Sequence, residues 1–336
     1  MSFRVAMLAI LCFGLLCSVG TCATVAASPV DQAHTVATFS IVAQDSATGE
    51  LGVAVASRFF AVGSVVPWAK SGVGAVATQA YANTTFGPVG LKLMAAGLSP
   101  KAALDSMLKM DTDPGRRQVG IVAADGKSVT YSGDSCSPWA GGRSGPGYAI
   151  QGNILTGESV VLDMEKTFLN ASGTLADRMY AALLAGDSAG GDSRGKQSAA
   201  LIVVKKGAGY GGYNDRAIDI RVDDNPDPFT ELGRLLKIAE MNYSWNEAWT
   251  AFTEKRFADA LPLMERTAQM APDNGEVLYD LSVIRLAAGE KGAALDALRD
   301  AIAANPKLAQ QALGDTDLSA LRNDPEFRRL TAPEPK

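Results

Sequence analysis

The order of elements between residues 38 and 222 limits the folds open to this chain more than any other feature. Residues 38–43 (Thr-Phe-Ser-Ile-Val-Ala) and 51–57 (Leu-Gly-Val-Ala-Val-Ala-Ser) are short β-type runs. The turn-forming stretch Asp45-Ser46-Ala47-Thr48-Gly49-Glu50 separates them, which predicts a hairpin. Residues 74–79 predict a further strand, and its small side chains suit burial on both faces. Two helices are expected next, at 88–96 and from the Ser99-Pro100 start, where serine caps and proline fits the first turn. Strands return at 118–123, 128–131 and 148–151, a second helix pair at 158–169 and 175–185, and strands again at 198–204 and 217–222. Strands, two helices, strands, two helices, strands is the order of a layered α+β protein, with helix pairs on the outer faces of two sheets.

Near residue 240 the texture changes to helix throughout. Ala260 and Ala294 stand 34 residues apart, as do Pro272 and Pro306. Leu278, Leu281, Gly289, Ala294, Leu298, Ala301 and Pro306 occupy the positions of a tetratricopeptide repeat (TPR), which this region resembles. Small alanines let paired helices approach closely, glycine turns the chain between them, and proline ends the second helix. A looser copy covers about 245–274, with Thr267 where alanine is usual, and a partial pair is expected at 308–330. So few repeats make a poor independent solenoid, so packing on the first domain through residues 232–241 is expected. The boundaries read as a first domain at 38–236, a linker at 237–244 and helical repeats at 245–330.

The N-terminus has the layout of an export signal. Arg4 precedes an apolar run over 5–19, and Thr21-Cys22-Ala23 and Val25-Ala26-Ala27 are both acceptable cleavage sites. Residues 1–27 therefore read as a signal peptide, 28–37 as a linker or pro-segment, and the protein as periplasmic or secreted. Cys12, Cys17 and Cys22 fall in the signal, which leaves Cys136 alone in the mature chain with no disulfide partner.

Two counts exclude whole classes of function. A net charge of −5 has the wrong sign for a nucleic-acid binder. The single histidine, His34, rules out a two-histidine zinc site, and if it is removed no imidazole remains to act as a base. The glycines at 207–212 precede a strand, not the helix a phosphate loop requires. Asp223, Asp224 and Asp227 lack the spacing of a calcium loop. Neither cofactor nor metal is expected.

Several separated motifs carry a family resemblance. They are Thr38-Phe39-Ser40-Ile41-Val42-Ala43, the run 52–63, Val66-Pro67-Trp68-Ala69, residues 72–80, Gln151-Gly152-Asn153, Gly211-Gly212-Tyr213-Asn214-Asp215 and Arg221-Val222-Asp223-Asp224. Together they resemble the family of unknown function 1028 (DUF1028), placed by similarity in the N-terminal nucleophile (Ntn) hydrolase superfamily. The resemblance implies a four-layer αββα sandwich followed here by the all-α repeats. It also implies hydrolysis of an amide bond by a threonine, serine or cysteine that becomes residue one of the mature chain. Thr38 is the residue it designates. A threonine hydroxyl needs a base, and the chain's own α-amine, with a pKa near 7.7–8.0, suits neutral pH. Thr35-Val36-Ala37 places small residues where a signal peptidase prefers them, although Ala37 lies far beyond the apolar run.

The residues themselves suggest further candidates. Arg58 and Lys70 are cations beside apolar strands, placed to lower the pKa of a neighbouring amine, and either also reads as a surface side chain. Asn153, at a strand end, could donate to a developing oxyanion. Asn214 and Asp215 could orient substrate. The partners expected are a small amide or peptide substrate and a protein or peptide on the repeats, with room for a homo-oligomer. The competing reading is a non-catalytic scaffold in which the first domain binds a ligand.

Overall fold

The computed structural model describes residues 38–332, so the expected signal peptide, the pro-segment and the bond after Ala37 lie outside the described residues. The elements are β1 (Thr38–Gln44), β2 (Leu51–Ser57), β3 (Pro67–Lys70), β4 (Gly74–Ala80), α1 (Phe86–Ala95), α2 (Pro100–Met110), β5 (Arg117–Ala123), β6 (Ser128–Ser132), β7 (Gly141–Gly145) and β8 (Tyr148–Asn153). There follow α3 (Ser159–Asn170), α4 (Leu175–Ser188), β9 (Ser198–Val204), β10 (Arg216–Val222), α5 (Pro228–Thr253), α6 (Phe257–Met270), α7 (Gly275–Ala287), α8 (Lys291–Ala304), α9 (Leu308–Gly314) and α10 (Pro325–Leu330).

The strands form two sheets, ordered β10-β9-β2-β1-β8-β7 and β3-β4-β5-β6, and every pairing is antiparallel. The sheets face one another across a layer of small branched side chains, with Val42, Val53 and Val55 meeting Ala75, Ala77 and Val122. Alternate residues of β1 point the other way, where Phe39 and Ile41 join Met164, Met179 and Leu183 of α3 and α4. Val76, Val119 and Ile121 meet Leu104 and Met107 of α2 on the outer face of the smaller sheet. The result is helix, sheet, sheet, helix, the four layers expected. The central strands are buried on both faces, which explains their continuous apolar runs.

Two strands escape the sequence pattern. β3 is only four residues long, and β7 is Gly-Gly-Arg-Ser-Gly, aligned by its register with β8 rather than by propensity.

Residues 237–244 are not a linker. They lie inside the 26-residue helix α5, capped by Asp227, whose side chain accepts from the Thr230 N–H, with Pro228 in the first turn. Phe229, Leu232 and Leu236 at the start of α5 pack into the sheet domain, whereas Ala248 and Ala251 near its end pack against Ala260, Met264 and Val277 of the repeats. One helix belongs to two cores, so no break in hydrophobic burial is needed between them. Gly289 turns the chain between α7 and α8 at φ 88°, a left-handed geometry that glycine adopts without Cβ strain.

Candidate functional site

The inward-facing residues of the larger sheet change character towards one end. In register across four strands, Asn153, Thr38, Ser57 and Ser198 form a polar row, and each is at most 1 % exposed. Behind Thr38 on the same face of β1 come Ser40 and then the apolar Val42. Three glutamines complete the patch: Gln151 from β8, and Gln79 and Gln118 from the facing sheet, all fully buried.

Their side chains bridge the two sheets in a continuous network. The Gln151 amide donates to Ser40 Oγ at 2.6 Å, which donates to Gln79 Oε1 at 2.5 Å. Gln79 Nε2 donates to Gln118 Oε1 at 2.9 Å and to the Thr38 carbonyl at 3.2 Å. Gln118 Oε1 also accepts from Asn153 Nδ2 at 2.9 Å, while Gln118 Nε2 donates to the Gly152 carbonyl at 2.6 Å and Ser132 Oγ at 2.7 Å. Thr38 Oγ1 donates to Ser57 Oγ at 3.2 Å. Gly120 makes room for this network, because a Cβ there would stand 2.0 Å from Gln151 Oε1. Buried amides are tolerated only when so bonded.

Backbone strain collects at the same end. Ala80 (φ 64°) follows Gln79, and Ile154 (φ 52°) follows Asn153. A β-branched residue in the left-handed region is an outlier, and such strain, of order 1–3 kcal/mol each, tends to occur at functional sites. Beyond the polar row, the carboxylate of Asp192 accepts from the Arg58 N–H at 3.0 Å and from Arg194 Nη2 at 2.9 Å. Ser198 Oγ donates to the Phe59 carbonyl at 2.5 Å and accepts from the Val62 N–H at 3.1 Å, fastening the loop after β2.

The structure therefore brings Thr38 and Asn153 side by side and places Arg58 one residue beyond Ser57. The Arg58 guanidinium turns outward to Gln197 Oε1, 2.6 Å away. Lys70 and Asp215 do not join them. Lys70 pairs with Gly74, at the opposite end of β4 from Gln79, and shares a surface recess with Asp215, Ser71 and Val204. Val204 lies opposite Leu51, which is opposite Gln44 at the far end of β1. Six residues at about 3.3 Å each separate that end from Thr38 by roughly 20 Å, more than two screening lengths. The Gly207 N–H and the Ser71 hydroxyl, both bonded to Asp215, hold its carboxyl below the usual range. Asn214 bonds the Arg216 N–H within its own loop. Cys136 is half-buried, and burial raises its thiol pKa. Among the described residues no three metal-ligating side chains converge on one point.

Sequence reasoning missed Gln79, Gln118, Gln151, Ser57, Ser198 and Asp192 as parts of the site. The signal for the first five was present: each is a polar residue at or near the end of an otherwise apolar strand. Only the pairing of the sheets shows that these ends coincide.

A TPR-type helical tail on a four-layer sandwich with this interior defines the class of protein. A family model described as "Family of unknown function (DUF1028)" matches residues 38–232, and the chain belongs to that family. A tetratricopeptide-repeat model matches residues 251–315. The crystal structure of protein SPO2555 from Silicibacter pomeroyi, described as DUF1028, is 27 % identical, with a TM-score of 0.56 over 60 % of this chain and 89 % of that one. No protein among the curated ones matches.

Proposed function

We propose that this chain is the precursor of an exported threonine amidohydrolase of the Ntn type, activated when cleavage after Ala37 frees the α-amine of Thr38. The observation that carries this reading is Thr38 itself. It opens the first strand and the family match, and it stands in a buried polar row at the strained end of the inter-sheet space. Residues 38–332 contain no histidine, so no imidazole is available in this body. The free amine accepts the proton of Oγ1 as the hydroxyl attacks the substrate carbonyl and delivers it to the leaving amine; water, its proton taken by the same amine, then cleaves the acyl–threonine ester, releasing the acid and restoring the hydroxyl. Ser57 Oγ, bonded to Thr38 Oγ1, orients the hydroxyl. Asn153 Nδ2, one strand away, is the nearest side-chain amide in the row to serve the oxyanion. In the uncut chain the nitrogen of Thr38 is an amide with no basicity, so that form is inactive. The substrate is a small peptide, acyl-amino compound or cell-wall fragment, and the repeats hold a protein or peptide partner.

Intact mass and N-terminal sequencing of the protein isolated from its periplasm or medium test the proposal. A chain beginning at Thr38 that hydrolyses members of an N-acyl amino acid and dipeptide panel, and loses turnover by a factor of about 10³ or more on Thr38→Ala, is expected. Turnover by a form that retains residues ahead of Thr38 overturns it.

A further inference from the structure

We propose that the outer edge of β10 pairs antiparallel with the same edge of a second copy of this chain, about a two-fold axis at Ile220. β10 ends the six-stranded sheet. It is zipped to β9 on one side; on the other, among the described residues, the Asn214 side chain caps the N–H of the first residue, Arg216, and the backbone of residues 217–222 carries no further bond. Such an edge is a template for another strand.

The charges say which strand fits. Lys206 and Arg216, with Asp215 beside them, stand at the start of β10, where Lys205 is held by Glu247 of α5, and Asp223, Asp224 and Asp227 stand at its end. A strand that is cationic at one end and anionic at the other repels a parallel copy and complements an antiparallel one. Two-fold symmetry allows only registers in which one residue faces itself. Centring on Asp219 or Arg221 sets like charges opposite each other. Centring on Ile218 pairs Arg221 with Asp215 but leaves Asp219 facing Ala217, and centring on Val222 pairs Arg221 with Asp223 but sets Ile220 against Asp224 and runs beyond the end of the strand. Centring on Ile220 sets Asp219, which already holds Arg216 and Arg221 of its own strand, opposite the second copy's Arg221 in both directions, sets Ile218 against Val222, and brings Arg216 to the Asp223-Asp224 pair. Opposite charges directly across a strand pair attract at this spacing, and like charges repel.

There is also room on both faces for the alternating side chains of an added strand. A recess of about 270 Å³ lies on the helix side, bounded by Ile218, Ile220, Ala239 and Tyr243. One of about 700 Å³ lies on the other side, bounded by Lys70 and Asp219. Tyr210 borders both, and Tyr210 and Tyr213 are 84 % and 91 % exposed on a loop pinned by Asn246, which donates to the Gly209 carbonyl at 3.0 Å and accepts from the Gly211 N–H at 2.9 Å. In this register the loop meets the turn around Pro226 of the second copy, so the rigid rings gain an apolar partner at small entropic cost.

Sedimentation velocity on the isolated protein at about 1–100 µM, the range in which an interface of modest area dimerises, tests the proposal. A dimer is expected. Arg216→Asp and Asp224→Arg, both exposed substitutions, should each weaken it about 30-fold or more, since the contact occurs twice. The combined variant R216D/D224R should recover most of the loss. Thermal melts report whether each variant folds. A monomer throughout the range, a dimer indifferent to both single changes, or a double variant no better than the singles overturns the proposal. An extended peptide of another protein on this edge would show as the monomer result.

Discussion

Replacing Gln79 by methionine separates two accounts of the glutamine patch. The side chains are similar in volume, and the site is fully buried. If the patch were merely tolerated in an otherwise apolar interior, methionine would stabilise the protein by burying more apolar surface. The geometry argues the reverse. Methionine removes the acceptor for Ser40 Oγ at 2.5 Å and the donors to Gln118 Oε1 at 2.9 Å and the Thr38 carbonyl at 3.2 Å. Gln118 Oε1 keeps its bond from Asn153, and Ser40 Oγ keeps the one from Gln151. The Gln151 carbonyl loses its 3.3 Å bond from the same amide, so the groups left short of a partner are chiefly one hydroxyl proton and lone pairs on two backbone carbonyls, Thr38 and Gln151. At about 1–3 kcal/mol for a buried polar group left unpaired, offset in part by the apolar gain, the net loss is about 2–3 kcal/mol. Ser40→Ala strands the other side of the same bond. The double variant should therefore lose less than the sum of the singles by about 1 kcal/mol or more. Urea unfolding followed by far-UV circular dichroism measures all four corners of this cycle. A Gln79→Met protein as stable as the parent, or additive behaviour of the pair, refutes the network as a structural unit.

The remaining predictions concern charge and domain coupling. Burial pushes the Asp280 carboxyl up to about 6 from the ordinary 3.8, against the opposing bond from Trp245 Nε1. The folded state thus holds a proton more tightly than the unfolded one. Its contribution falls as pH rises from about 4 to about 6, leaving a destabilisation of about 1–3 kcal/mol above that window. Asp280→Asn should accordingly raise the melting temperature at pH 7.5 and leave it little changed at pH 4. Lys70→Ala and Asp215→Ala should keep any measured turnover within about two-fold, because about 20 Å of strand separates them from Thr38; a loss of a hundredfold would bring them back into the site. Truncation after Thr253 uncovers the Ala248 and Ala251 face of α5, which packs on the repeats, and should yield an aggregating protein by light scattering where the full chain stays dispersed.

Much of the layering is legible in one dimension. Runs such as Leu51–Ser57 are long enough and apolar enough to be read as strands, and Ser99-Pro100 and Gly289 mark a helix start and a turn by chemistry that acts over a few residues. The helix α5 was not legible as one piece. Its apolar residues serve the sheet domain in the first turns and the repeats in the last, so no single amphipathic face marks it, and the stretch between, where polar and apolar residues mix, reads as a linker. β7 is a strand only because β8 lies beside it.

The site shows the same division. Thr38 stands out because it heads a strand and a family motif, both properties of local sequence. Ser57, Asn153, Gln79 and Gln118 acquire meaning from register, which sets residues from distant parts of the chain side by side. Lys70 and Asp215 fail for the converse reason: their chemistry is suitable, yet strand direction carries them to the other end of the sheets. Composition and periodicity decide which side chains are buried, because burial depends on local hydrophobicity. Which polar groups meet inside depends on how the sheets pair and face each other, and only the folded chain supplies that.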